Sequence, residues 1–113
     1  MTDHRAAAAD AAALIRDLAG ATGDPLKAYA SPADITAVTE SLGDLARHLK
    51  TALDQLAQHI ERRDDWADAD PAQRRRHAQK AGGKVRFAGA QAKNTAEALD
   101  LAVEALGRLR PAP

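Results

Sequence analysis

The side chains best equipped for chemistry are two histidines, His59 and His77, and the cations of "RRRHAQKAGGKVRFAGAQAK", residues 74–93. A structural or catalytic zinc ion needs three or four ligands held in place. His59 and His77 approach each other only if the chain turns near residue 68, and although Asp and Glu lie nearby, the H-E-x-x-H spacing is absent. His59 therefore reads as a polar residue at the edge of a helix seam, His4 and His48 read as surface residues, and no metal site is assigned. "AGGKVRFAG" has the residue types of a phosphate loop but not the G-x-x-x-x-G-K-[ST] order, and it falls inside a helix. No nucleophile with base and orienting partner can be assembled, and the chain has no Cys. The expectation is a non-enzymatic protein with no catalytic residue and no cofactor.

The cationic run admits two readings. It holds seven Lys or Arg and no acid, although the whole chain balances 16 basic against 16 acidic residues. Arg74, Arg75, Arg76, Lys80, Lys84, Arg86 and Lys93 would span about 30 Å of helix and could track phosphates, with counterion release driving non-specific binding to DNA or RNA. Alternatively they form a solvated face balanced by acids such as Asp54 and Glu61 on a neighbouring helix. Phe87 is the one aromatic in the run, so there is no stacking platform, and no helix-turn-helix, zinc finger or basic zipper is present. An anionic lipid or an acidic protein is a further conceivable partner.

Phe87 and Leu101 fall two heptads apart on the outer side of the same helix. Two apolar residues in register on an outward face suggest a dimer contact or a docked partner helix, unless the register is tilted and both are core. Trp66 lies in a turn and reads mainly as a plug over the end of a helix pair, with partner anchoring as the alternative.

The elements that must position these residues follow from caps and periodicity. Thr2 or Asp3 can cap a first helix over about 3–19, ended by Gly20 and the segment "ATGDP". Ser31, Pro32 and Asp34 open a second helix over about 32–65, and Asp70, Pro71 and Gln73 open a third over about 71–109, closed by Arg110 and Pro111. On the second helix Ile35, Val38, Leu42, Leu45, Leu49, Ala52 and Leu56 form the expected seam, widened on one side by Ala46, Leu53 and Ile60. On the third, Ala78, Ala81, Val85, Ala88, Ala92, Thr95, Leu99, Ala102, Leu106 and Leu109 do so. Gly82, Gly89, Ala96 and Val103 recur every seven residues beside that seam. Interior glycines cost about 1 kcal/mol each against Ala, so close backbone approach should compensate, or Gly82 and Gly83 form a hinge.

These signals predict an all-α three-helix bundle, a single domain over 1–113, in which a long antiparallel hairpin is braced by the shorter N-terminal helix. Alanine supplies 29 residues and the larger apolar types only 22. So thin a core favours self-association, with a homodimer or another protein as the expected partner. Asp3, Asp10 and Asp17 interrupt any signal-peptide core, and no run of 18 apolar residues exists, so a soluble cytoplasmic protein without a membrane span is expected. The hairpin with a Trp near its turn resembles the architecture of the small secreted WXG100 family over residues 32–109. Ala67 and Asp68 follow Trp66, so W-x-G is absent, and Tyr29 does not occupy the C-terminal Y-x-x-x-[DE] position. The likeness is architectural and carries over no functional residue.

The functional expectation is a helical-bundle protein-interaction module that self-associates through Phe87, Leu101 and Trp66, with a non-specific nucleic-acid binder using the basic row as the alternative.

Overall fold

Each helix starts where a short oxygen-bearing side chain meets unpaired backbone amides. In the computed structural model, which describes residues 3–24, 27–67 and 70–109, Asp3 caps the first helix by accepting a hydrogen bond from the Ala6 amide at 3.1 Å. The Asp34 amide donates to Ser31 Oγ at 3.3 Å before the second helix, and Asp70 Oδ1 accepts from the Ala72 amide at 2.9 Å before the third. The helices are α1 (His4–Ala21), α2 (Pro32–Arg62) and α3 (Pro71–Leu106), and the described residues contain no strand. The protein is all-α, as the periodicity predicts. Thr2, Pro25, Asp68, Arg110 and Pro111, used above as cap, turn or stop signals, lie outside the described residues.

The boundaries differ from expectation by a turn or less. α1 runs through Gly20 to Ala21, because Thr22 closes it with both its amide and its hydroxyl on the Leu18 carbonyl. α2 stops at Arg62 rather than near 65, and α3 at Leu106 rather than 109, where Gly107 returns its amide to the Val103 carbonyl.

The chain divides into two units, Met1–Ile35 and Thr36–Pro113. In the first, α1 has no buried residue, and Leu14 and Ile15 are exposed. In the second, α2 and α3 form an antiparallel hairpin: Arg47 meets Asp100, while Glu61, further along α2, meets Arg86, earlier on α3.

The contact between α2 and α3 is rotated from the predicted stripe: Ala78, Val85, Ala92, Leu99 and Leu106 hold the α3 seam as expected, and the other positions change. Along α3 the buried or half-buried residues include Ala78, Gly82, Val85, Gly89, Ala92, Ala96, Leu99, Val103 and Leu106, stepping by 4 and 3, with Gln73, Arg74 and Ala102 half-buried beside them. Along α2 they include Thr39, Gly43, Ala46, Lys50, Leu53, Ala57 and Ile60, with the same steps. Both are heptad seams. The glycines expected beside the α3 seam are in it, and Ala81, Ala88 and Thr95 are exposed. On α2 the residues expected to widen the seam, Ala46, Leu53 and Ile60, belong to it, whereas Leu45, Leu49 and Leu56 lie outside. The physical reason is geometric. Two helices alone bury only a narrow stripe, and the stripe of smallest side chains brings the backbones closest and maximises dispersion contact.

The glycines separate into distinct cases. A Cβ on Gly82 would overlap Glu61, at 2.6 Å from its Cγ and 2.8 Å from its Cδ. A Cβ on Gly89 would stand 2.8 Å from Asp54 Oδ1 and in ordinary contact with Leu53. One on Gly83 meets nothing within 4 Å, and α3 is unbroken through the pair. Close approach accounts for Gly82 and Gly89 but not for Gly83.

Candidate interaction surface

The hairpin has two unlike flanks because the residues beside the seam differ in kind. On one flank Arg47, Asp54 and Glu61 of α2, a heptad apart, face Asp100, Lys93 and Arg86 of α3 in register. Arg47 Nη1 donates to both Asp100 oxygens at 2.8 and 3.0 Å and also pairs with Asp44. Arg86 grips Glu61 with two parallel bonds, Nε to Oε1 at 3.1 Å and Nη2 to Oε2 at 2.8 Å. Between them, Lys93 falls opposite Asp54, whose carboxylate is held by Lys50 one turn earlier. The hydrogen bonds from Arg86 hold the Glu61 carboxyl below the usual carboxylate range, and the same contact raises Arg86. Hydrogen bonds to Asp100 and then Asp44 raise Arg47.

The opposite flank carries almost no charge. α2 contributes Val38, Leu42, Leu45, Leu49 and Leu56, a ridge of branched side chains about 27 Å long interrupted by Ala52. α3 contributes Ala81, Ala88, Thr95, Ala98, Ala102 and Ala105, with Lys84 and Gln91 at its rim. Thr95 turns its hydroxyl onto the Gln91 carbonyl at 2.9 Å, which leaves the methyl as its outward group. Leu45, Leu49 and Leu56 are 40 %, 44 % and 48 % exposed. The buried apolar residues, by contrast, are Ala46, Ala57, Ala78, Ala92 and Ala96.

Near the turn the apolar flank runs into a cavity of about 300 Å³ lined by Ile60, Trp66, Arg74, His77, Ala78 and Ala81. Trp66 folds back over the hairpin end, its indole Nε1 donating to the Ile60 carbonyl at 3.1 Å, and it remains 43 % exposed. Arg74 donates to the Trp66 carbonyl at 3.4 Å. His77 lines this cavity, both it and His59 are exposed, and no three metal-ligating side chains cluster among the described residues.

Phe87 and Leu101 lie on the side of α3 away from the seam, 64 % and 66 % exposed. They are therefore surface residues, separate from the leucine ridge. The basic row is dispersed around α3. Arg86 is engaged with Glu61, Arg74 lies at the turn cavity, and Arg75, Arg76, Lys80, Lys84 and Lys93 are exposed with no ion pair among the described residues. Arg76, Lys80 and Lys84 share the outer side.

Reasoning from sequence missed the ridge by assigning its leucines to the seam. The signal that could have exposed it is the sign pattern of Arg47, Asp54 and Glu61 against Asp100, Lys93 and Arg86. It marks one flank as polar and so places the leucines on the other.

No helix of the described residues is long and apolar enough to cross a membrane. Comparison with known protein families, with characterised proteins and with solved structures finds no match for this chain.

Proposed function

We propose that this chain is a non-enzymatic interaction module whose α2–α3 hairpin docks a helical protein partner along its uncharged flank. The observation that carries the reading is the inversion of size with burial. The seam hides Ala and Gly while Leu45, Leu49 and Leu56 stay in water, on a continuous strip of a kind that marks binding surfaces. Titration with a synthetic amphipathic helix of Leu and Ala tests it by fluorescence anisotropy. Saturable binding is expected, abolished by Leu49→Asp and spared by Phe87→Asp. Binding that ignores Leu49→Asp overturns the reading.

A second reading draws on the exposed cations Arg75, Arg76, Lys80, Lys84 and Lys93, which could hold a nucleic-acid backbone non-specifically. It predicts affinity for single- or double-stranded DNA that falls steeply with salt and drops when Arg76, Lys80 and Lys84 become Gln. Affinity indifferent to both discards it.

A further inference from the structure

We infer that the helical partner of this flank is a second copy of the chain, related by a twofold axis parallel to α2 and α3, so that each leucine ridge lies in the other copy's alanine trough. The inference rests on the docking reading above and names its occupant.

Three observations select a copy. The first is shape. The flank is a ridge beside a trough: Leu42, Leu45, Leu49 and Leu56 on α2, and Ala81, Ala88, Ala98 and Ala102 on α3. A partner that fills it must offer small side chains opposite α2 and large ones opposite α3. Rotation by a half-turn about an axis along the helices sets α2 of one copy over α3 of the other and satisfies both demands at once. Such an isologous contact needs only one self-complementary patch. An axis perpendicular to the helices would instead press ridge on ridge and leave trough facing trough. In the favoured arrangement every neighbouring pair of helices is antiparallel, as in a four-helix bundle.

The second is exposed apolar surface. Leu45, Leu49 and Leu56 stay 40 %, 44 % and 48 % exposed along one side of the hairpin. No described side chain larger than alanine is buried, so the hairpin has the leucines of a core without the second layer that would enclose them.

The third is charge. The ridge and trough contain no acidic residue, and their cations are confined to Lys84 at the rim and Arg74 at the turn end. Two identical surfaces meet face to face more readily the less charge they carry, and this flank carries little while the ion-paired flank stays in water. The turn cavity at Trp66 continues the flank, and the favoured axis brings the two cavities to the same end.

Sedimentation equilibrium from low micromolar to millimolar concentration tests the association, and a nitroxide label on Arg62→Cys, in a chain with no native cysteine, tests the axis. The expected species is a dimer of twice 11.9 kDa. Leu49→Glu should weaken it about 30-fold or more, and Phe87→Glu should leave it unchanged. Ala88→Leu, which makes the surface more apolar but fills the trough, should also weaken it. That result separates fitted packing from general stickiness, with far-UV circular dichroism confirming that each variant is helical. Labels at Arg62 should lie at the same end of the dimer, well inside the roughly 40 Å that opposite ends of α2 would impose. A dimer with the long separation, a larger oligomer, or a dimer strengthened by Ala88→Leu overturns the arrangement. A wild-type monomer that still binds the synthetic helix through Leu49 overturns the second copy alone. A monomer indifferent to that helix overturns the docking reading with it.

Discussion

Gly82 and Gly83 are adjacent in sequence and opposite in surroundings, so the same substitution should have opposite effects at the two. Replacing an interior helical glycine by alanine gains about 1 kcal/mol, partly by restricting the unfolded chain. At Gly83 nothing within 4 Å meets the new methyl, so the whole gain should appear, raising Tm by roughly 4–8 °C for a domain of this size. At Gly82 the methyl overlaps Glu61 at Cγ and Cδ, and Glu61 cannot withdraw without leaving Arg86. Overpacking of this kind costs about 1–3 kcal/mol, which cancels or exceeds the propensity gain. Gly82→Ala should therefore leave stability unchanged or lower it. Thermal and urea unfolding followed by circular dichroism would measure both, at one fixed protein concentration, since association would make Tm depend on concentration. In a Glu61→Ala background the obstruction is gone, and Gly82→Ala should stabilise as Gly83→Ala does, a coupling that a double-mutant cycle isolates. Equal stabilisation by the two single substitutions would refute the close approach of α2 to α3 at this position, and with it the seam assignment.

Acid should loosen the hairpin. The Glu61 carboxyl is depressed in the folded state, so its contribution is full above the unfolded value near 4.5 and is lost as pH falls through the lower folded value. Tm should decline below about pH 4.5 in the wild type and less so in Glu61→Gln, and identical pH profiles would contradict this. Asp70→Ala removes the side-chain acceptor of the Ala72 amide and should cost about 0.5–2 kcal/mol, readable as a lower urea midpoint with an unchanged slope.

The existence and order of the helices were legible because caps are local. Asp3, Ser31 and Asp70 each bond an amide two or three residues ahead, and no distant contact is needed to decide that. Which face of each helix meets the other is not local. Leu45, Leu49 and Leu56 satisfy helical periodicity as well as Ala46, Leu53 and Ile60 do, and hydrophobicity alone ranks the leucines as core. The competition is decided by how closely two backbones can approach, and there Gly43, Ala46 and Ala57 prevail over leucine. Assigning Phe87 and Leu101 to the outside was possible from α3 alone, because both lie opposite any seam that includes Ala78 and Ala92. The α2 ridge needed the register of both helices together.

The ion-paired flank also fixes the phase of one helix against the other. Slide α3 by seven residues in one direction and Arg47 confronts Lys93; slide it the other way and Asp54 confronts Asp100, while Arg47 loses its carboxylate partner to Gly107. The alanines and glycines of the seam, Gly43, Ala46 and Ala57 against Ala78, Gly82, Gly89, Ala92 and Ala96, present much the same small side chain at each step and resist a slip only weakly. Charge order thus adds a vernier to the larger seam residues such as Leu53 and Leu99, and it does so from positions that remain wet.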